Sequence, residues 1–380
     1  MDLASAGADH RVRFGNPGYP PASRWAVSGP GAATLNRLSA SFSLTLAAIV
    51  FVALALIPVL GSGYWTGQAT RYVLFGMFAM SLSLLWGRAG MLTFGHAVFF
   101  GIGGYVMATM TMGLFGDGIL SELLAQPWIA LPVSVGGAAL AAAALGWFLF
   151  WGRGVSGAYL AIITLSVAVV VEQAVRGFYA LGGDNGLVGV PALATWAADP
   201  FNPVPMFYTV LVIAAVVYVG LDRLLRSRMG ALLTAVSANP DRLGHFGYSV
   251  FVVRLGAFVL GAAIAGLAGA LFVATDGFAS PSLIGFGLSA EVLIWVALGG
   301  RNILLAAFLG AVAVRLAESF LSGLLGDFWL LALGMVFMAS VVLLPQGLIA
   351  TPMLWLNNRW NQGNRSNSRD APGPANDGMV

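Results

Sequence analysis

The sequence predicts an all-α polytopic membrane protein, and three observations carry that reading. Of its 380 residues 59% are hydrophobic and only 9% charged, against about 25% charged in soluble domains. Apolar runs long enough for a membrane helix, roughly 20 residues, recur along most of the chain. The 50 glycines fall in stretches without β-type alternation, which suits helices whose backbones approach closely. The expected architecture is a bundle of about 8–10 transmembrane helices with both termini cytoplasmic.

The elements follow in order. Residues 1–40 are rich in Pro, Gly and Ala and carry Arg11, Arg13, Arg24 and Arg37. They read as a disordered cytoplasmic tail and not as a signal peptide, because the first apolar run begins too late. Ten apolar runs then lie near 41–60, 72–86, 94–115, 127–151, 155–175, 205–221, 255–275, 288–300, 303–322 and 328–350. The second and eighth are short, so tilted, partial or re-entrant segments stay open for both. Residues 41–351 form the transmembrane domain, and residues 352–380 read as a second, disordered polar tail.

Arginine placement sets the expected orientation. With the N-terminus inside, Arg88, Arg153, Arg223, Arg226, Arg228, Arg242, Arg254 and Arg301 fall on the cytoplasmic side. Only Arg71 and Arg176 fall outside, where the loops instead hold Asp117, Glu122, Asp184, Asp199, Asp276 and Asp327. The segment 222–254 is the large cytoplasmic loop, long enough for one or two short surface helices. The outer loop 176–204 contains GGDNGLVGVP, whose glycines and Pro191 predict an ordered turn.

Several function classes drop out. There is no cysteine, hence no disulfide framework or thiolate metal site, and three histidines nearly exclude a multi-histidine site. All 18 basic residues are Arg, and a net charge of +3 is too small to point to nucleic acid. No HExxH, GxSxG or GxxxxGK[ST] motif is present, so the chain has no usual means of hydrolysing ATP. An intramembrane enzyme lacks its reactive set, whereas a stand-alone channel or ion-coupled carrier remains a rival.

Ionisable groups at membrane depth are costly and mark candidate sites. Glu172 and Gln173 lie near the outer end of the fifth run, as pathway residues or as interfacial groups beside Arg176. Arg315 and Glu318 are three residues apart on one helix and can neutralise each other. Glu291 opens a short segment that also carries Trp295. It is either a first-turn carboxylate favoured by the helix dipole or a solute contact. His96 either lines a path or is a satisfied buried imidazole. Gly261, Ala265 and Gly269 recur every four residues and form a flat ridge. That ridge, like Gly101 and Gly104, serves static packing or a contact that slides during gating.

SLSLLWGRAGMLTFGHAVFFGIGGYVMA resembles the signature of permeases from ABC importers of branched-chain amino acids and urea. The matching positions are Gly87, Gly90, Thr93, Phe94, Gly95, His96, Phe99, Phe100, Gly101 and Tyr105. GAYLAIITL at 157–165, GGDNGLVGVP at 182–191, AGLAGALF at 265–272, LIWVALGGRNILLAAFLGA at 293–311 and LLPQGL at 343–348 extend the resemblance in order. It implies a multi-pass permease subunit of the bacterial inner membrane that works by alternating access without a bound cofactor. A second related permease, two ATPase subunits that use the ATP, and a periplasmic solute-binding protein would be its partners. The 222–254 segment would then be the ATPase coupling loop, matched in Ser227, Arg228, Gly230, Asp241, Gly247 and Tyr248. Ser237, Ala238 and Asn239 stand where relatives of that family carry Arg and acidic residues. Trp86, His96, Ser289–Glu291 and Trp295 look like the urea-type subunit, with branched-chain amino acids as the alternative solute. A zwitterion needs fixed charges of both signs to replace its water, and the sequence shows few charges within its spans.

Overall fold

The computed structural model describes residues 40–369 apart from 115, 117, 153, 194–201, 329–330, 332–333, 336–337 and 339–346. The expected tail 1–39, the end of the second tail (370–380), Arg153, Asp117, Asp199 and most of the 328–350 run lie outside the described residues. Seven described helices are long and apolar enough to cross a membrane, and two shorter apolar helices accompany them. At 1.5 Å per residue a helix of about 20 residues spans the roughly 30 Å of hydrocarbon.

The first membrane helix is α1 (Ala40–Ala55), extended by the short α2 (Ile57–Leu60). Next comes α3 (Gly63–Ser83), which runs into a single π-helical segment, Leu84–Arg88. Gly90 turns the chain at φ +69°. The short helix α4 (Ala97–Thr111) follows, then the surface helix α5 (Ile119–Leu124) and two full spans, α6 (Pro127–Phe150) and α7 (Ala158–Gly177). The next span is α8 (Val204–Arg226). Two short helices, α9 (Arg228–Ala238) and α10 (Pro240–His245), separate it from the longest, α11 (Val250–Asp276). The half-length α12 (Phe286–Gly299), α13 (Leu304–Leu325) and the C-terminal α14 (Ala350–Arg369) complete the described elements.

Local chemistry sets these limits. The Ser227 hydroxyl accepts from the Met229 amide at 3.2 Å, and the Asn239 side chain accepts from the Arg242 amide at 3.0 Å, capping α9 and α10. Pro240, which has no amide hydrogen to leave unpaired, opens α10. Gly277, at φ +67°, ends α11 in the left-handed cap that glycine tolerates. The outer-loop turn expected at GGDNGLVGVP is ordered, with Gly182, Gly183, Gly186 and Gly189 at positive φ. Its strand β1 (Leu187–Val188) pairs antiparallel with β2 (Phe278–Ala279), just after α11.

Burial divides the bundle into a centre and a rim. α3 and α11 are almost entirely buried, whereas α1, α6 and α7 present most of their surface outward. α11 packs along α4, α6 and α3, while α13 packs against α3 and α12. The α4–α11 seam is a backbone contact, because a Cβ on Gly103 would strike the Gly266 carbonyl and one on Gly269 the Phe100 carbonyl. Gly101 abuts Ile284, Gly104 abuts Val273, and Gly261 meets Leu85. Ala265 is buried between them.

Three expectations are corrected. The second apolar run is no partial segment: α3 starts at Gly63, nine residues before the expected 72. Its polar stretch, with Gln68 and Arg71, lowers the apparent hydropathy and lines a cavity between α3, α11 and α13. Glu291 is not a first-turn carboxylate, because α12 begins at Phe286 and has no acidic residue in its first turn. The polar segment from 352 is helical through Arg369.

Candidate functional site

A group of polar side chains lines an open cavity of about 280 Å³ between α3, α11 and α13. α3 contributes Gln68, Arg71, Tyr72 and Phe75; α11 gives Phe272 and Asp276; α13 gives Arg315, Glu318 and Ser319. These stretches lie toward the Gly63–Asp276 end of the bundle, opposite Arg88, Arg226 and Arg301. Arg71 Nε meets Asp276 Oδ1 at 2.7 Å. Arg315 Nη1 meets Glu318 Oε2 at 2.6 Å and Glu291 Oε2 at 3.5 Å. Arg315 therefore holds carboxylates from two helices, α12 and α13.

Aromatic rings close the other side. The Arg315 guanidinium lies 4.2 Å from the Phe75 ring centre and 5.1 Å from that of the fully buried Trp295. Phe75 in turn contacts Trp295 at 5.1 Å and Phe272 at 5.2 Å between centroids. A guanidinium over ring faces gains cation–π attraction in a desolvated setting. Its planar donors suit a carboxylate. The wall thus offers cations, carboxylates and apolar faces within one small volume.

The candidate residues from the sequence do not form one site. Glu291 and Trp295 join the cavity wall through Arg315. Glu172 instead pairs with Arg176 at 2.7 Å and sits against Gly285, while Arg176 also holds Asp184 at 2.8 Å. Gln173 faces outward from α7. Trp86 lies at the opposite end, with the Arg301 guanidinium 5.6 Å from its ring centre. Arg71, Asp276, Gln68, Phe75 and Phe272 were not singled out as site residues. The signal for them was present in two ionisable groups at the ends of apolar stretches, which sequence reading assigns to loops.

His96 is a packing residue. It is fully buried, stacks parallel on Phe78 at 5.4 Å, and its Nε2 lies 2.7 Å from Ser81 Oγ. Ser81 already donates to the Phe78 carbonyl at 2.6 Å, so the ring donates to Ser81 through Nε2. The rest of its turn is held by its backbone: the Phe94 amide donates to Thr164 and the Ala97 amide to Ser289, both at 3.1 Å. Gly95 lies directly under the Thr164 carbonyl. His96→Ala should lower stability by roughly 3 kcal/mol through the void left beside Phe78. It should leave the apparent solute affinity of surviving protein unchanged, and thermal unfolding with concentration-dependent uptake checks both.

At the Arg-rich end, the expected loop 222–254 is shorter, because α8 runs to Arg226 and α11 starts at Val250; the segment between them folds as α9 and α10. Gly230 is buried, with the Leu225 backbone filling the space where a Cβ would stand. It shapes the α8–α9 turn and offers no surface. Gly247, at φ +81°, has open space around it. Arg228, Asn239, Asp241 and Tyr248 are exposed, as are Met229 and Phe246. Ser237 of α9 touches Gly90, while Gly87 sits on the Arg301 carbonyl, to which Ser83 Oγ donates at 2.9 Å. The surface helices thus abut the turn at the foot of α3, the helix that walls the cavity at its other end.

The family model described as branched-chain amino acid transport system / permease component matches residues 64–344. Among curated proteins, the high-affinity branched-chain amino acid transport system permease protein LivM of Escherichia coli (strain K12) is 29% identical over 373 residues. That alignment covers 90% of this chain and 83% of the relative. LivM of Salmonella typhimurium is 28% identical over 369 residues, 90% of this chain and 83% of the relative. The high-affinity branched-chain amino acid transport system permease protein LivH of Salmonella typhimurium is 24% identical over 289 residues, 73% of this chain and 92% of the relative. No solved structure matches.

Proposed function

The chain belongs to the branched-chain amino acid transport system permease family, and on that premise we propose that it carries branched-chain amino acids through the membrane as one permease of an ATP-driven importer. The observation that carries the solute assignment is the cavity with Arg71, Arg315, Asp276 and Glu318 beside Phe75 and Phe272. A zwitterion leaving water needs an anion-binding and a cation-binding group in one small space, and an aliphatic side chain needs apolar faces. The expectation of urea rested on the likeness of Trp86, His96, Ser289–Glu291 and Trp295 to the urea-type subunit, with the scarcity of charge within the spans pointing the same way. Folding gathers those few charges around one volume, so that argument now favours the amino acid. The names of the relatives support the same solute.

Similarity to both LivM and LivH supports pairing with a second, related permease. In this reading a periplasmic binding protein delivers the solute, and one ATPase subunit docks on α9 and α10 at the cytoplasmic face, the second serving the partner permease. Their motion reaches the cavity through the contact of Ser237 with Gly90 and along α3, shifting the bundle between outward- and inward-open states. Docking energy concentrates in buried aromatic anchors. Phe246→Ala should therefore weaken ATPase binding by about 2 kcal/mol, roughly thirty-fold in affinity, in a titration of reconstituted permease with the ATPase subunit. An unchanged affinity would remove Phe246 from the docking surface.

Uptake of labelled leucine and labelled urea, in cells with and without this chain and with the partner subunits present, tests the reading. ATP-dependent leucine uptake that is lost with the chain supports it. Loss of urea uptake alone would keep the importer and change the solute. Nucleotide-independent flux would favour a channel or an ion-coupled carrier.

A further inference from the structure

The C-terminal helix α14 is tied to the bundle at two points. Near its start, the Leu348 amide donates to the Leu298 carbonyl at 2.7 Å, and Gly347, at φ +95°, packs on Gly300. Further along, Trp360 meets Phe42 at 6.1 Å between ring centres. Leu298 and Gly300 sit at the end of α12 beside Arg301. Phe42 lies in the first turn of α1 beside Ser43, which bonds Asp222 and Arg226 at the end of α8. Both ties are at the same, Arg-rich end of the bundle. Ten residues of helix separate Ala350 from Trp360, about 15 Å at 1.5 Å each. A helix held at two points that far apart, both at that end, runs across the end of the bundle.

Its faces differ accordingly. Ala350, Met353 and Asn357, spaced three and four apart, are buried against the bundle and lead to Trp360. The neighbouring stripe of Pro352, Trp355, Leu356 and Arg359 is exposed, with Trp355 at 53% and Leu356 at 44%. The Arg359 guanidinium lies 4.0 Å from the Trp355 ring centre. Residues 350–369 contain Arg359, Arg365 and Arg369 and no Asp or Glu. Trp beside Arg at the edge of the hydrocarbon is the composition of an interfacial helix, and a net positive charge complements anionic headgroups.

We propose that α14 is a membrane-surface anchor, with Trp355 and Leu356 set into the headgroup boundary, Arg359 binding phosphates of anionic phospholipids, and the helix's net positive charge drawing it to them. Each Arg near such a surface contributes about 1 kcal/mol, so attachment scales with lipid charge and with arginine number. The test is backbone hydrogen exchange of the full chain in nanodiscs of phosphatidylglycerol or of phosphatidylcholine. The expected result is several-fold slower exchange over 352–360 in phosphatidylglycerol, a difference that disappears in R359Q/R365Q/R369Q and returns in R359K/R365K/R369K. Lysine keeps the charge, so its rescue separates lipid binding from a loss of helix folding. Equal exchange in both lipids overturns the proposal. So does protection that arises only when ATPase subunits are added, which would make the stripe a protein-docking surface.

Discussion

Arg315→Gln protein should be recovered in low folded yield and should carry no leucine. Arg315 is the cation that Glu318 and Glu291 share, at 2.6 and 3.5 Å, and its charge rests over Phe75 and Trp295. Removing it leaves two carboxylates with water largely excluded, and breaking a buried pair by deleting one partner costs about 3–5 kcal/mol. The three side chains keep some exposure, so the lower end of that range applies. Removing all three charges together, as Arg315→Gln, Glu291→Gln and Glu318→Gln, leaves no ion unpaired and should restore thermal stability. It should not restore uptake, because the solute then meets no charge on that wall. Should leucine uptake return with stability, Arg315 is structural and the cavity is not the solute site. Arg315→Lys keeps the charge but loses the planar fork, so its folding should stay near the parent's while its uptake falls.

Much of the architecture was legible because the bilayer imposes it. The runs at 41–60, 127–151, 155–175, 255–275 and 303–322 all appear as helices near those limits. The errors share one physical origin: hydropathy reports average polarity, whereas a central helix needs only its lipid-facing side to be apolar. α3 is largely enclosed by other helices, and Gln68 and Arg71 near its start line the cavity, so they could enter the span unseen. The candidate site was half legible for the same reason. Glu291, Trp295, Arg315 and Glu318 stood out as ionisable or aromatic groups in short or apolar segments. Their convergence with Arg71 and Asp276 depends on how α3 and α11 lie beside α13, which spacing along the chain does not encode. Trp86 was drawn in by motif and His96 both by motif and as an ionisable group, and the motif belongs to a turn held by Thr164, Ser289 and Arg301. α14 went unread because its buried positions, 350, 353 and 357, include an asparagine and sit in a polar segment.

Gly269→Val should prevent folding outright. Its Cβ would fall on the Phe100 carbonyl, backbone against backbone, and on the same seam Gly103 faces the Gly266 carbonyl. Gly266 is also closed from its other side by Ala138 of α6. Three helices therefore meet within one layer, and α4 cannot retreat from α11 without disturbing the rest. Overpacking costs about 1–3 kcal/mol where side chains can turn away; a carbonyl held in a helix has no such freedom, so the cost lies above that range. Gly136→Ala and Gly220→Ala provide the comparison, since both glycines are helical with open space where a Cβ would stand. These should be neutral or stabilising by about 0.5–1 kcal/mol. Thermal unfolding in nanodiscs checks the set, and a Gly269→Val protein melting with its parent would refute the close seam. The smaller Gly269→Ala change separates the two roles a glycine ridge can play. If stability and uptake fall together, the seam is static packing. If a folded Gly269→Ala protein binds solute but no longer moves it, α4 and α11 slide along these glycines during transport.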